Sequence, residues 1–490
     1  MATVWHDYST DSPKVTSARL TLVLLGGLGL ASLGGYALMA ASASAGREPQ
    51  AIGKFVVIFI GLFALYMAAC YLVLRAERSL PTRSTLVVIG VVAVLARGTL
   101  VFSPPTLSND MYRYVWDGRV MAAGISPYAY APGNSALEEL RPPDYWIWSQ
   151  INRKGAITIY PPGAELFFAG VYAVYPDSVM WTKGAMVLVD LASCVLVLLI
   201  LGRLGMPRER VLLYAWAPLP IIEFGSSGHV EALSVFWTLA AILAGVVAVQ
   251  RGAGGAARAG RGASLWAAAC LAAAALVKLI PLLLLAGLIR RFGWKFVALC
   301  TGLFALGYAG FVVLTGGHVS NFLVTYLLHE HNNAPIYALL SELVAKPLGI
   351  GDEIVRGVLL AALAVVALLV ALRRDTGPYS FVSKSFVLVG AYLLLATNAH
   401  PWYATWLLLF VPLVMPPGGL LISGEIDRSG NPRLRREYGP ALAAFLFTGI
   451  TFLGYSLFVL AVPIVPLELS AIQGVATIGL GIIWPYMGRA

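Results

Sequence analysis

The chain cannot fold as a water-soluble globule, because it carries nine apolar runs near the roughly 20 residues a helix needs to cross a bilayer. They fall at about 20–43, 55–74, 86–102, 179–201, 229–249, 294–315, 354–372, 440–463 and 466–487. Shorter apolar pieces lie near 164–176, 211–225, 385–399 and 402–415, and one run, 264–289, is interrupted at Lys278-Leu279-Ile280-Pro281. Counting the short pieces predicts twelve to fourteen helices in an all-α, polytopic membrane protein.

Charge agrees with this reading. Only 12% of the residues are charged, against about 25% in soluble domains, and the mean hydropathy is +0.79. The longest gap between apolar segments, Ser103–Tyr160, is too short for a separate soluble domain. The organisation expected is a cytoplasmic tail, 1–19, then one transmembrane domain, 20–490, with 103–163 as a large loop. The first apolar run exceeds the roughly 7–15 residues of a signal-peptide core, so an uncleaved first helix is expected. The net charge of +10 is no sign of nucleic-acid binding, since its Arg and Lys residues sit in short loops between spans. Cys70, Cys194, Cys270 and Cys300 are scattered through apolar segments and read as buried thiols, without a disulfide frame.

Those basic loops set an orientation, because cytoplasmic loops collect Lys and Arg. Lys14 and Arg19 place the N-terminus inside, Arg75, Arg78 and Arg83 follow the second span, and the third span delivers Ser108–Pro132 outside. The later clusters, at Arg203/Arg208/Arg210, Arg251/Arg258/Arg261, Arg290/Arg291, Arg373/Arg374 and Arg428/Arg433/Arg435/Arg436, all fall inside on one condition. Segment 164–176 must be too short to span, and 264–289 must enter, break at Lys278–Pro281 and return. Broken helices at membrane depth survive only where they line a cavity or lie buried in protein, so the break is itself a functional hint.

On this topology His229, His318, His329, His331 and His400 all face outside. The stretch 108–132 sets Asp110, Arg113, Asp117 and Arg119 among Tyr112, Tyr114, Trp116, Tyr128 and Tyr130, and Ile159-Tyr160-Pro161-Pro162-Gly163 closes the same loop. It reads as an active site laid on the membrane surface by amphipathic helices. Asp110 could serve as a general base; equally, Ser108-Asn109-Asp110 has the composition of a helix N-terminus. Asp117 and Arg113 share a helix face with Asp110, which suits acid–base work or an ion-pair ladder. Lys278 lies inside an apolar helix, where a cation marks a functional site by default, and it would suit a lipid phosphate. Asp190 and Glu223 are read as helix-to-helix hydrogen-bonding groups. His229-Val230-Glu231 follows a flexible Gly225-Ser226-Ser227-Gly228, and His400-Pro401-Trp402-Tyr403 joins two short helices. The spacing in His329-Glu330-His331 splits the pair across a helix, so no metal is expected. No P-loop or dinucleotide fingerprint occurs, and no cofactor is expected.

The run N-D-M-Y-R-Y-V-W-D-G-R-V, then A-A-G-I-S-P-Y-A-Y-A-P and I-Y-P-P-G, resembles bacterial GT-C glycosyltransferases related to the polyprenol-phosphate-mannose-dependent mannosyltransferases. G-S-S-G-H-V-E-A-L, L-V-K-L-I-P-L-L-L-L and N-A-H-P-W-Y follow in the expected order, so the likeness spans roughly 86–415. One departure is Glu231, where much of the family carries Asp. The resemblance implies an acidic catalytic base early in the first large outer loop, at Asp110 by position. It also implies a polyprenyl-monophosphate sugar donor and inversion at the anomeric carbon. It does not assign the donor phosphate and sugar contacts, for which charge and side give Arg113, Asp117, Tyr160, His229, Lys278 and His400.

The expectation is a membrane glycosyltransferase moving a sugar, mannose by the resemblance, from a polyprenyl-phosphate donor lipid to a glycan or glycolipid acceptor. It would work on the outer face of the bacterial cytoplasmic membrane, with no metal, cofactor or nucleic-acid partner. The competing class is a lipid or small-molecule transporter or flippase, which would also use broken helices and intramembrane charges. A weaker alternative is a polymerase or ligase of surface polysaccharide.

Overall fold

The computed structural model describes residues 15–45, 48–76, 80–253, 257–314 and 334–415. The expected C-terminal spans 440–463 and 466–487, and His318, His329 and His331, lie outside these residues. Among the described residues seven helices are long and apolar enough to cross a membrane. In the numbering used below they belong to α1 (Val15–Ala41), α2 (Pro49–Ala76), α3 (Thr82–Val101), α6 (Val179–Arg203), α8 (Glu231–Ala253), α11 (Trp294–Leu314) and α12 (Asp352–Leu372). They coincide with the first seven apolar runs of the sequence. Between them lie α4 (Asp110–Ala122), α5 (Pro162–Val174), α7 (Pro218–Gly225), α9 (Ala257–Ala275), α10 (Leu285–Phe292) and α13 (Ser380–Leu395).

Helix α8 is the spine, packing along α6 on one side and α9 on the other, while α1 packs on α2 and α3. Where the interior is apolar, polar groups need partners, and a buried network between α3 and α6 supplies them for Arg97 and Asp190. Arg97 Nε of α3 donates to Asp190 Oδ2 of α6 at 2.6 Å, both side chains being fully buried. The Tyr214 hydroxyl donates to Asp190 Oδ1 at 2.6 Å, and Arg97 also donates to the Ala215 carbonyl at 2.8 Å. Asp190 therefore does join helices, as its sequence context suggested. Lys183 Nζ donates to the Leu100 carbonyl at 3.0 Å and to the Ser103 carbonyl, closing the C-terminal end of α3 just before the large loop. Cys70, Cys194, Cys270 and Cys300 are all free thiols.

The interrupted run 264–289 is broken as expected: α9 stops at Ala275, a 3-10 turn covers Ile280–Leu284, and α10 resumes at Leu285. The break is anchored through its carbonyls. Gly163 N donates to the Leu276 carbonyl at 2.8 Å and Ala164 N does so at 3.3 Å, so the first turn of α5 caps the end of α9. Ser234 Oγ of α8 donates to the Ala274 carbonyl at 2.8 Å.

The large loop folds against the helices of the bundle. Every residue of α4 from Met111 to Gly118 is buried in the protein. The physical reason is that its charges are satisfied internally. Arg113 Nε donates to both Asp117 carboxylate oxygens at 2.8 and 2.9 Å, and Arg113 Nη1 donates to the Ala156 carbonyl at 3.0 Å. Arg119, near the end of the helix, pairs with Asp177 at 2.6 Å, and Tyr114 stacks on Phe168 of α5 at 4.4 Å.

Candidate active site

Asp110 is the first residue of α4, with Asn109 as its N-cap. The capping reading of the sequence does not describe its side chain. Asp110 N donates to Ser108 Oγ at 3.2 Å, while the carboxylate points to other elements. Oδ1 accepts from Asn152 Nδ2 at 3.0 Å, and Oδ2 lies 3.9 Å from His229 Nδ1. The side chain retains 24% exposure. It is therefore reachable and held by a neutral amide.

His229 is fully buried, and its Nε2 lies 3.4 Å from Glu223 Oε2. Its backbone N donates to the Glu223 carbonyl at 2.9 Å, so α7 and the turn before α8 fix the ring from two directions. Gly228 precedes it at φ +70°, and a Cβ there would meet Met111 Cε at 2.0 Å. Only glycine allows both that backbone and that approach to the residue after Asp110. Burial first, then the positive neighbours Lys278 and His400, hold the imidazole well below its ordinary pKa. It is a neutral ring.

Trp402 stacks on His229 at 3.9 Å between ring centroids and on His400 at 4.3 Å, and Tyr403 meets His400 edge-on at 5.6 Å. These rings lead to Lys278 in the α9 break. Lys278 Nζ lies 2.8 Å from Glu231 Oε1, 5.2 Å from the Tyr160 ring centroid and 5.6 Å from that of Tyr403. The Tyr128 hydroxyl donates to the Tyr160 carbonyl at 2.5 Å, and the Tyr160 ring rests edge-on against Tyr114 at 5.1 Å. Burial, followed by the nearby Asp110 carboxylate, pushes the hydroxyls of Tyr114 and Tyr160 well above their ordinary pKa, so both remain protonated donors.

The fold thus gathers Asp110, Tyr160, His229, Lys278 and His400 from five separate parts of the chain. Arg113 and Asp117 are engaged elsewhere, in a second buried cluster with Thr158 and Glu165, where Thr158 Oγ1 donates to Glu165 Oε1 at 2.6 Å. Four neighbours were not anticipated as contacts. Asn152 is an ordinary loop amide in sequence, Glu223 resembles Asp190 in context, Trp402 suits a membrane belt or substrate stacking equally, and Glu231 finds Lys278 across 47 positions (278 less 231). Only the Trp in H-P-W-Y carried a signal, being set between two polarisable rings.

Chemically, a carboxylate that can take a proton and a cation that can face an anion occupy one aromatic-lined cluster. Among the described residues no group of three or more His, Cys, Asp or Glu side chains could hold a metal ion. The comparisons bear on what the cluster does. No curated protein sequence matches the chain. A family model described as alpha-(1->6)-mannopyranosyltransferase, N-terminal domain, matches residues 17–292. That match covers more than half of the 490 residues and includes α1 to α10, with Asp110, Tyr160, His229 and Lys278 inside it. It sets the transporter reading aside: the chain belongs to the MptA/B family of α-(1→6)-mannosyltransferases, multi-pass membrane enzymes that draw mannose from a polyprenol-phosphate-mannose donor.

Proposed function

We propose that Asp110 is the general base of this transfer and Lys278 the cation that faces the donor phosphate. The acceptor is a glycan or glycolipid whose hydroxyl gives its proton to the Asp110 carboxylate. The freed oxygen pair attacks the anomeric carbon, the bond from that carbon to the phosphate oxygen breaks, and its electron pair leaves on the polyprenyl phosphate. Attack and departure on opposite faces invert the anomeric carbon. Lys278, pre-oriented by Glu231 and the Tyr160 and Tyr403 rings, matches the charge that grows on the leaving phosphate. His229 and His400 wall the space between, and a neutral His229 leaves the base unpaired with any cation from that side. A protonated imidazole 3.9 Å away would compete with the acceptor proton for the carboxylate.

The observation that carries this reading is the placement of Asp110: its side chain is 24% exposed, accepts from the Asn152 amide and lies 3.9 Å from His229 Nδ1. The basic clusters that follow α2, α6, α8 and α10 support an orientation in which this end of the bundle faces outward from the bacterial cytoplasmic membrane. The test is product stereochemistry. Purified protein given a β-configured short-chain polyprenyl-phosphate-mannose and a mannoside acceptor should release polyprenyl phosphate and form an α-linked product, read by NMR. A β-linked product would mean retention, and would contradict a single base acting in one displacement.

A further inference from the structure

Asp110 is approached from two sides. One side leads through His229 and Trp402 to Lys278. On the other, Asn152 holds Oδ1, and Asn152 follows a short helix, Trp146–Gln150, that lies over the start of α4. That helix is pinned down. Ile147 is 1% exposed, and Trp148 Nε1 donates to the Pro132 carbonyl at 3.2 Å. Lys154 and Arg141 lie over the Trp148 ring at 4.5 and 5.2 Å. Trp146 is different. The residue is 55% exposed, yet its ring is fixed edge-on against Tyr112 of α4 at 5.7 Å.

We infer that Trp146 is the stacking platform of the acceptor sugar, a pyranose subsite on the loop segment that holds Asp110 through Asn152. This rests on the reading of Asp110 as base. In an inverting displacement the base and acceptor stand on one face of the anomeric carbon and the phosphate on the other. The segment that holds the base through Asn152 contributes none of Glu231, Tyr160 and Tyr403 around Lys278, and so is assigned to the acceptor side. The C–H groups of a pyranose face pack on an indole, and a ring already immobilised by Ile147 and Tyr112 loses little entropy on binding. Asn152, reaching the base from the same loop, keeps platform and base in register. The other use for an exposed Trp in such a protein is as an interfacial anchor in the lipid headgroups, and the two uses predict different kinetics.

The experiment varies octyl α-mannopyranoside as acceptor and short-chain polyprenyl-phosphate-mannose as donor, using the full-length protein in nanodiscs. Trp146→Ala and Trp146→Leu should each raise the acceptor KM about ten-fold and leave the donor KM within two-fold, while Trp146→Phe stays within about three-fold of wild type. An unchanged acceptor KM in the Ala and Leu variants overturns the proposal. Equal rises in both KM values also overturn it, because they report a membrane anchor. Asp110→Asn in the same series loses kcat; if it does not, the base reading fails on its own evidence and the Trp146 results still report where the acceptor binds.

Discussion

Lys278 and Glu231 form a 2.8 Å ion pair at the α9 break, joining a cation in the broken helix to the first residue of α8. Removing one partner of a buried pair strands the other, so structural and catalytic effects must be separated. Lys278→Gln should cut transfer about 10–100-fold, the scale of a lost charged hydrogen bond, and lower thermal stability. The double variant Lys278→Gln/Glu231→Gln should recover the stability but not the transfer. Calorimetry and radiolabelled-mannose transfer on the same preparations check both halves. Recovery of transfer in the double variant would show that Lys278 faces no phosphate.

Gly163 should tolerate no side chain. A Cβ there would sit 2.8 Å from the Leu276 carbonyl that its own N–H caps. Gly163→Ala therefore either displaces the α9 break or opens the cap, at an overpacking cost of about 1–3 kcal/mol. Because Lys278 is two residues beyond Leu276, donor KM should rise at least five-fold while the acceptor KM holds. Equal behaviour of the variant and wild type would mean that the cap does not position Lys278.

The Arg97–Asp190 pair belongs to the scaffold. Asp190→Ala leaves the guanidinium buried beside Tyr214 and should cost about 3–5 kcal/mol, seen as a lower melting temperature in detergent. Specific activity per folded molecule should be unchanged. A loss of activity without a loss of stability would move Asp190 into the site.

Two buried groups outside the spans give opposite pH limbs. Burial, then the adjacent Asp117 carboxylate, raise Glu165 well above its usual 4.5. Its contribution to stability is complete below that value and lost as pH rises through the raised folded value. His229 is lowered from its usual 6.5. Its contribution is present above 6.5 and lost as pH falls through the lowered folded value. Glu165→Gln keeps a neutral partner for Asp117 and should flatten only the alkaline limb of melting temperature against pH. Persistence of that limb would place the proton elsewhere.

Much of the scaffold was legible because a bilayer leaves few choices. The first seven apolar runs each became a helix, and Pro281 with Lys278 announced the break that closes against Gly163. The same logic marked Asp110, His229 and Lys278, since charge beside apolar runs is costly without a purpose. What was not legible depended on which polar group finds which. Asp190 and Glu223 have similar surroundings in sequence, but one meets Arg97 and the other meets His229. Arg113 and Asp117 form their pair one helical turn apart, which lets α4 bury both charges within the protein. Asn152 reaches Asp110 only because the loop returns over α4, and nothing local in Asn152-Arg153-Lys154 records that return.

The central claim is that Asp110 takes the acceptor proton. Its most direct measurement compares wild type with Asp110→Asn for mannose transfer from short-chain polyprenyl-phosphate-mannose, with donor binding titrated on the same samples. Loss of a general base lowers turnover by about 10²–10⁴-fold, and the isosteric amide should leave donor affinity within about two-fold. Equal transfer by the two proteins would contradict the claim and return Asp110 to the role of a helix-terminal carboxylate.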